Sequence, residues 1–236
     1  MDGIDIACVG LSCYDLCFEV DHHPSHDEKV FSRSFLAAGG GPAANAAVAI
    51  SRLDYKAAFV GQLSNDLFGR LQIEEFRSEG VDTRFIEKTL SSPSISSVIV
   101  KPDGSRSVIS HKAEGQVNER SFNLEMLDPS VLLFDGHQLE MSQALLDRQC
   151  PKILDAGSVH QGTLALMNKV DHLVCSEKFA RQWSGNDDPE RSLDLLAEQS
   201  PSVVITLGAN GLIWRKGAER GRLSAFNIAC VDTTGA

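Results

Sequence analysis

Four short apolar runs in the second half of the chain, VLLFDG (131–136), KILDAG (152–157), DHLVCS (171–176) and SVVITLG (202–208), constrain the fold most. Each is too short for a buried helix, ends in small or polar residues, and is separated from the next by a stretch that suits a helix. Parallel strands need such crossovers, so the alternation predicts an α/β fold with a mainly parallel, doubly wound sheet flanked by helices. Ligands of such sheets bind beyond the carboxyl ends of the strands. The tips Asp135-Gly136-His137, Asp155-Ala156-Gly157, Ser176-Glu177 and Thr206-Leu207-Gly208 are therefore expected to converge on one edge.

The first half reads differently. IDIACVG is a buried strand ended by glycine, YDLCFEV a second strand with Asp15 at its edge, and KVFSRSFLA a third that runs into Gly39, Gly40 and Gly41. A helix, PAANAAVAISRL, should start there. Pro42 stands in its first turn, where a missing N–H costs nothing, and its alanines allow close packing on a sheet. AAFVGQL is read as a strand and DLFGRLQIEEFRSEG as a helix with Gly80 as its C-cap. SISSVIVKPDGSRSVIS forms a β-hairpin turning at Pro102-Asp103-Gly104. The reading is one domain, 1–236, with a small β-rich lid contributed by about 12–38 and 95–111.

A formal charge of −10 and a pI near 5.1 argue against nucleic-acid and anionic-membrane partners. An anionic ligand would have to be held by local donors. No apolar stretch approaches a membrane span, and the N-terminus lacks a basic start before an apolar run, so a cytoplasmic location is expected. The six cysteines form no CxxC pair, and four lie in apolar stretches typical of buried free thiols. His22, His23 and His26 read as a solvated loop rather than a metal cluster. G-x-x-x-x-G-K-[ST], G-x-G-x-x-G, H-E-x-x-H and G-x-S-x-G are all absent, so phosphates must be held by something other than a P-loop or a Rossmann turn.

GGGPAANAAVAISRL resembles the N-terminal signature of the ribokinase-like (PfkB) sugar kinases, and VDTTGA resembles the start of their C-terminal signature D-T-x-G-A-G-D. ILDAGSV, Ser176-Glu177 and VVITLGANGLIW occupy the family's intervening segments. The resemblance implies a ribokinase-like fold and phosphorylation of a sugar hydroxyl with ATP and magnesium. The GGGPAAN form, with DGHQLE and LDAGS, looks most like the branch of ketohexokinases and sulfofructose kinases. A homodimer through the lid is also implied.

The resemblance assigns Gly40, Gly41 and Asn45 to the sugar hydroxyls. Glycine permits close backbone approach, and Asn offers both a donor and an acceptor. Asp15 would accept hydrogen bonds from a polyol. His137, and Ser110, His111 and Lys112 after the hairpin, are candidates for reading the substrate's far end, where a cation would favour an anionic sugar. Thr206, Gly208, Gly211 and Asp232 correspond to the nucleotide side. Thr234, Gly235 and Ala236 would begin an anion hole of backbone N–H groups at a helix N-terminus.

The family's N-x-x-E segment reads Ser176-Glu177-Lys178-Phe179 here, leaving Glu177 as a water-mediated magnesium contact. The family's catalytic base, the Asp closing D-T-x-G-A-G-D, would fall two positions beyond Ala236, so the chain as it stands is expected to be inactive. The alternative reading is a non-catalytic sugar- or nucleotide-binding protein derived from such a kinase. A dinucleotide-dependent dehydrogenase ranks third, because the glycine run lacks the dinucleotide fingerprint.

Overall fold

The computed structural model describes residues 3–112 and 124–228. Strands β1 (Ile4–Val9), β2 (Cys13–Glu19) and β3 (Ser34–Gly40) lead into helix α1 (Pro42–Arg52). Next come β4 (Ala57–Ser64), α2 (Leu67–Ser78), β5 (Ile86–Thr89) and the hairpin of β6 (Ile95–Val100) and β7 (Arg106–His111). The second half runs β8 (Pro129–Phe134), α3 (Leu139–Ala144), β9 (Lys152–Ala156), α4 (Gln161–Leu166), β10 (His172–Ser176), α5 (Glu177–Ser184) and α6 (Pro189–Leu196). It continues with β11 (Ser202–Thr206), β12 (Leu212–Lys216) and β13 (Glu219–Leu223).

Nine strands form one sheet in the order β13-β12-β11-β10-β9-β8-β1-β4-β5. The seven from β11 to β5 are parallel, and only β12 and β13 run antiparallel at one edge. β2, β3, β6 and β7 form a separate four-stranded sheet in the order β3-β2-β6-β7. The sequence predicts the four strands of the small sheet, with the turn at Gly104 that takes a positive φ of 77°, and six of the nine in the large sheet; β5, β12 and β13 go unpredicted.

Two apolar layers cover the faces of the large sheet. One gathers Phe134, Met141, Leu154, Leu173, Phe179, Leu193 and Ile205, all 1% exposed or less. The other packs Ala43, Ala44 and Ala47 of α1 with Cys8, Phe59 and Phe76, whose rings stack at 4.8 Å. The alanine stripe brings the α1 backbone close to β1 and β4. α2 starts at Asp66, whose side chain accepts from the Gly69 N–H at 3.0 Å. Such a cap satisfies a donor that the helix itself leaves open.

Three details differ from the sequence reading. The third strand begins at Ser34 rather than near Lys29 and extends to Gly40, since pairing with β2 fixes its register: Cys13 faces Gly40 and Glu19 faces Ser34. Only Cys8 and Cys175 are fully buried among the described cysteines, because Cys13 and Cys17 sit on a strand of the thinner sheet. In the histidine loop, His22 pairs with Glu28 at 2.7 Å and His23 lies against Ser107 of β7, so the loop is tied down on one side.

Phe179 places α5 on the core with no exposed surface. Phe179→Ala is expected to lower stability by about 3–5 kcal/mol through lost apolar burial and the cavity left behind. Urea denaturation of the two proteins checks this.

Candidate active site

The strand order reverses direction at β1: the chain winds from β1 to β4 and β5 on one side, and from β8 outward on the other. The carboxyl ends of β1 and β8 diverge there and leave a crevice. Asp135, the residue after β8, fills its base. One carboxylate oxygen accepts from the N–H groups of Leu11 at 2.8 Å and Ala43 at 3.2 Å, and the other from His137 at 2.8 Å. Asp135 is 2% exposed; burial pushes its carboxyl above the usual range, and those N–H bonds oppose the shift. Gly10 must be glycine for this packing, since a Cβ there would lie 2.1 Å from the Asp135 carboxyl carbon.

Above the crevice opens a cavity of about 860 Å³ bounded on one side by the small sheet. Asp15, Gly41, Asn45, His137 and Thr206 all line it, together with Asp155 and Ser176. Asp15 reaches it from β2, where it pairs with Ala38 and Ser96, and its carboxylate accepts from the Cys13 thiol at 3.2 Å. Gly41 caps α1 with φ at 100°, a conformation that strains any side chain, and a Cβ there would meet the Leu11 carbonyl oxygen at 2.5 Å. Asn45 lies one turn into α1, its N–H bonded to the Gly41 carbonyl at 2.9 Å. Gly40 stands just behind, on a second cavity shared with Asp15 and Asn45, with a Cβ position 2.2 Å from an Asp15 oxygen.

The other predicted residues fall toward β11. Thr206 ends that strand, and its hydroxyl donates to the Cys175 carbonyl at 3.3 Å. Gly208 and Gly211 take φ values of 56° and 82° in the turn before β12, outside the cavity lining. Glu177 is exposed at the start of α5, which Ser176 caps by accepting from Phe179 at 3.0 Å. Asp232, Thr234, Gly235 and Ala236 lie outside the described residues.

Sequence reasoning missed His160, which no local signal marks. Its ring stacks on His137 at a centroid distance of 4.6 Å and 11° between planes. The Lys112 ammonium donates to Nδ1 of His137 at 3.5 Å. Burial, then the Lys112 charge, holds His137 down to about 4, so its imidazole is neutral near pH 7. At the cavity floor, burial and the neighbouring Asp135 push Asp155 up to about 6. Among the described residues no three His, Cys, Asp or Glu side chains come together as a metal cage, and no helix is long and apolar enough to cross a membrane.

A doubly wound sheet with a small β-sheet across its ligand edge, and with glycines, Asp and Asn facing one crevice, defines a ribokinase-like carbohydrate kinase architecture. The family model for the pfkB family carbohydrate kinases matches residues 4–236, and the chain belongs to that family. It is 26% identical over 246 residues to the ribokinase of Bacillus subtilis, covering 98% of this chain and 81% of that protein. The ribokinase structure from Thermotoga maritima superposes with a TM-score of 0.85 at 20% identity, over 98% of this chain and 80% of that one. Arabidopsis thaliana ribokinase complexed with ribose and ATP gives a TM-score of 0.81, again at 20% identity and over 98% and 80% of the two chains.

The Asp155 carboxyl binds its proton more tightly in the folded chain than in the unfolded one. Between its ordinary value of 3.8 and about 6 the folded state therefore holds the extra proton, and stability falls as pH rises through that window. Asp155→Asn removes this dependence. Its stability relative to wild type is expected to climb from about pH 4 to 6 and level off above, as urea midpoints across that range will show.

Proposed function

We propose that the protein phosphorylates a sugar hydroxyl with ATP, the sugar lying between Asp15, Gly41 and Asn45 and the triphosphate reaching in from the Thr206 side. The carrying observation is that these residues, drawn from β2, the α1 cap, α1 and β11, face one cavity. Asp15 suits the sugar as an acceptor for adjacent hydroxyls, and Asn45 can donate to one oxygen and accept from another. The Arabidopsis ribokinase, which carries ribose and ATP, supports the assignment of both ligands.

In the transfer, a sugar oxygen bonds to the terminal phosphorus of ATP, the bond to the ADP oxygen breaks, and the hydroxyl proton passes to a base. In this reading the base is the Asp that closes the family's D-T-x-G-A-G-D signature, and the amides at 234–236 would neutralise the phosphoryl charge. The reading applies to a chain that continues through it. Bound magnesium would neutralise charge on the phosphates. Among the described residues no carboxylate cage is present, so the ion would come with the nucleotide, and Glu177 at the start of α5 is the residue that would meet it through water. The β6–β7 hairpin, whose Ser96, Val98 and Ser110 line the cavity, serves as the lid and excludes water from the transfer. The branch of ketohexokinases and sulfofructose kinases stays part of this proposal, as does a homodimer through the lid.

Asp15→Ala and Asn45→Ala are each expected to weaken sugar binding by about 1–3 kcal/mol, the usual loss when a hydrogen-bond partner goes unpaired, with little change for nucleotide. Calorimetry with fructose, ribose and ATP on a chain extended through the expected base measures both. ADP release by the same chain tests the transfer. Equal losses for sugar and nucleotide, or no sugar-dependent ADP, would overturn the reading.

A further inference from the structure

A smaller recess of about 80 Å³ opens where the carboxyl ends of β1, β4, β5 and β8 meet; Ser12, Gln62, Ser64, Thr89, Lys112 and His137 are in its wall. Lys112 and His137 line both this recess and the main cavity, so the two join at that corner. No Asp or Glu lines the recess among the described residues, and Lys112 is its one formal cation. In a chain of net charge −10, a polar recess with a cation and no carboxylate is a selective feature.

The hydrogen bonds narrow what the recess can hold. Ser12 donates to Gln72 and Ser64 to Asp66 at 2.7 Å, which commits both hydroxyl protons, and Gln62 spends one of its two amide N–H groups on Glu87 at 3.1 Å. With Nδ1 of His137 accepting from the ammonium, the neutral ring carries its proton on Nε2. A ligand entering the corner therefore meets an ammonium and an imidazole N–H, both donors. The recess lies away from the Thr206 side: His137 follows β8, three strands and on the order of 14 Å from β11 at the usual strand spacing, and the recess runs from there toward β4, five strands away.

The geometry points to a sugar substrate whose end remote from the nucleotide carries an oxyanion (phosphate, sulfonate or carboxylate) seated on Lys112 and Nε2 of His137. This rests on the sugar-kinase reading and names its substrate class. Two donors on one oxyanion form charge-assisted bonds. Lys112 is open to solvent, which screens its charge, so the gain stays at the low end for such bonds.

Calorimetry on the extended chain should compare fructose with fructose 6-phosphate and ribose with ribose 5-phosphate, adding gluconate for the carboxylate. The charged member of each pair is expected to bind about tenfold tighter, and Lys112→Met to bring the ratio toward unity. Equal binding of the pairs, or a ratio that survives in Lys112→Met, overturns the inference while leaving the kinase reading standing. A second arm titrates inorganic phosphate without sugar and follows the His137 ring signals by NMR, assigned through His137→Gln. Phosphate should move those signals in wild type and not in Lys112→Met; no movement overturns the inference even if no sugar binds and the kinase reading fails. If ATP alone moves them while sugar phosphates do not, the anion is the nucleotide's and the inference is wrong.

Discussion

One buried carboxylate holds the site together. Asp135 takes N–H groups from the loop after β1, from the first turn of α1 and from its own strand's exit. Those are the three segments that must part for a crevice to exist at the reversal of strand order. A neutral side chain of the same shape would offer weaker acceptance to three amides at once, and hydrogen bonds to a charged acceptor are roughly twice as strong as neutral ones. The helix end contributes as well: α1 starts with Pro42, which has no N–H, its Ala43 N–H is spent on Asp135 and its Ala44 N–H on the Leu11 carbonyl at 3.4 Å, and the positive end of its dipole faces the carboxylate. Gly10 and Gly41 follow from the same constraint: the first makes room for the carboxylate, the second lets α1 begin against the Leu11 carbonyl.

That anchor sets the electrostatics around it. A fixed buried charge raises the cost of ionising its neighbours, and Asp155, Cys8 and Cys175 all lie above their ordinary ranges. Burial leads in each case. Asp135 adds to it for Asp155 and Cys8, and Asp155 adds to it for Cys175. The two thiols therefore stay protonated and Asp155 keeps its proton up to about pH 6, while the charge of Asp135 is satisfied by backbone donors. Acidic character is kept on the β2 side at Asp15 and cationic character at Lys112, so a bound polyol would feel opposite polarity at its two ends.

The large sheet was legible because its strands are buried on both faces, and burial writes continuous apolar runs with polar tips into the sequence. Asp135, Asp155 and Thr206 could be placed on one edge from those tips alone. Asp15, Gly41 and Asn45 became candidates through the glycine run and the family resemblance, and the structure brings all three to one cavity. The short edge strand β5 escaped notice because four half-exposed residues, Ile86–Thr89, carry no periodic signal. His160 escaped for another reason: its stacking on His137 depends on α4 packing against Gly136. There a Cβ on Gly162 would lie 1.7 Å from the Gly136 carbonyl oxygen, a contact visible only in three dimensions.

The proposed anion sites would have to work in an acidic chain without a basic surface. A general field of net charge −10 repels phosphates at long range, yet screening confines that repulsion to roughly 8–10 Å at ordinary salt. Within the crevice the local terms dominate: the N–H groups at the start of α1 are spent on Asp135 and the Leu11 carbonyl, and the cations on its lining are Lys112 and Arg106. Local donors bind only what reaches them in the right geometry. The negative exterior weakens loose attraction of other polyanions, while a recess that holds a small anion as proposed would keep its grip. Selectivity then comes from where the donors sit along the strand ends, and that placement descends from the carboxylate at the base of the crevice.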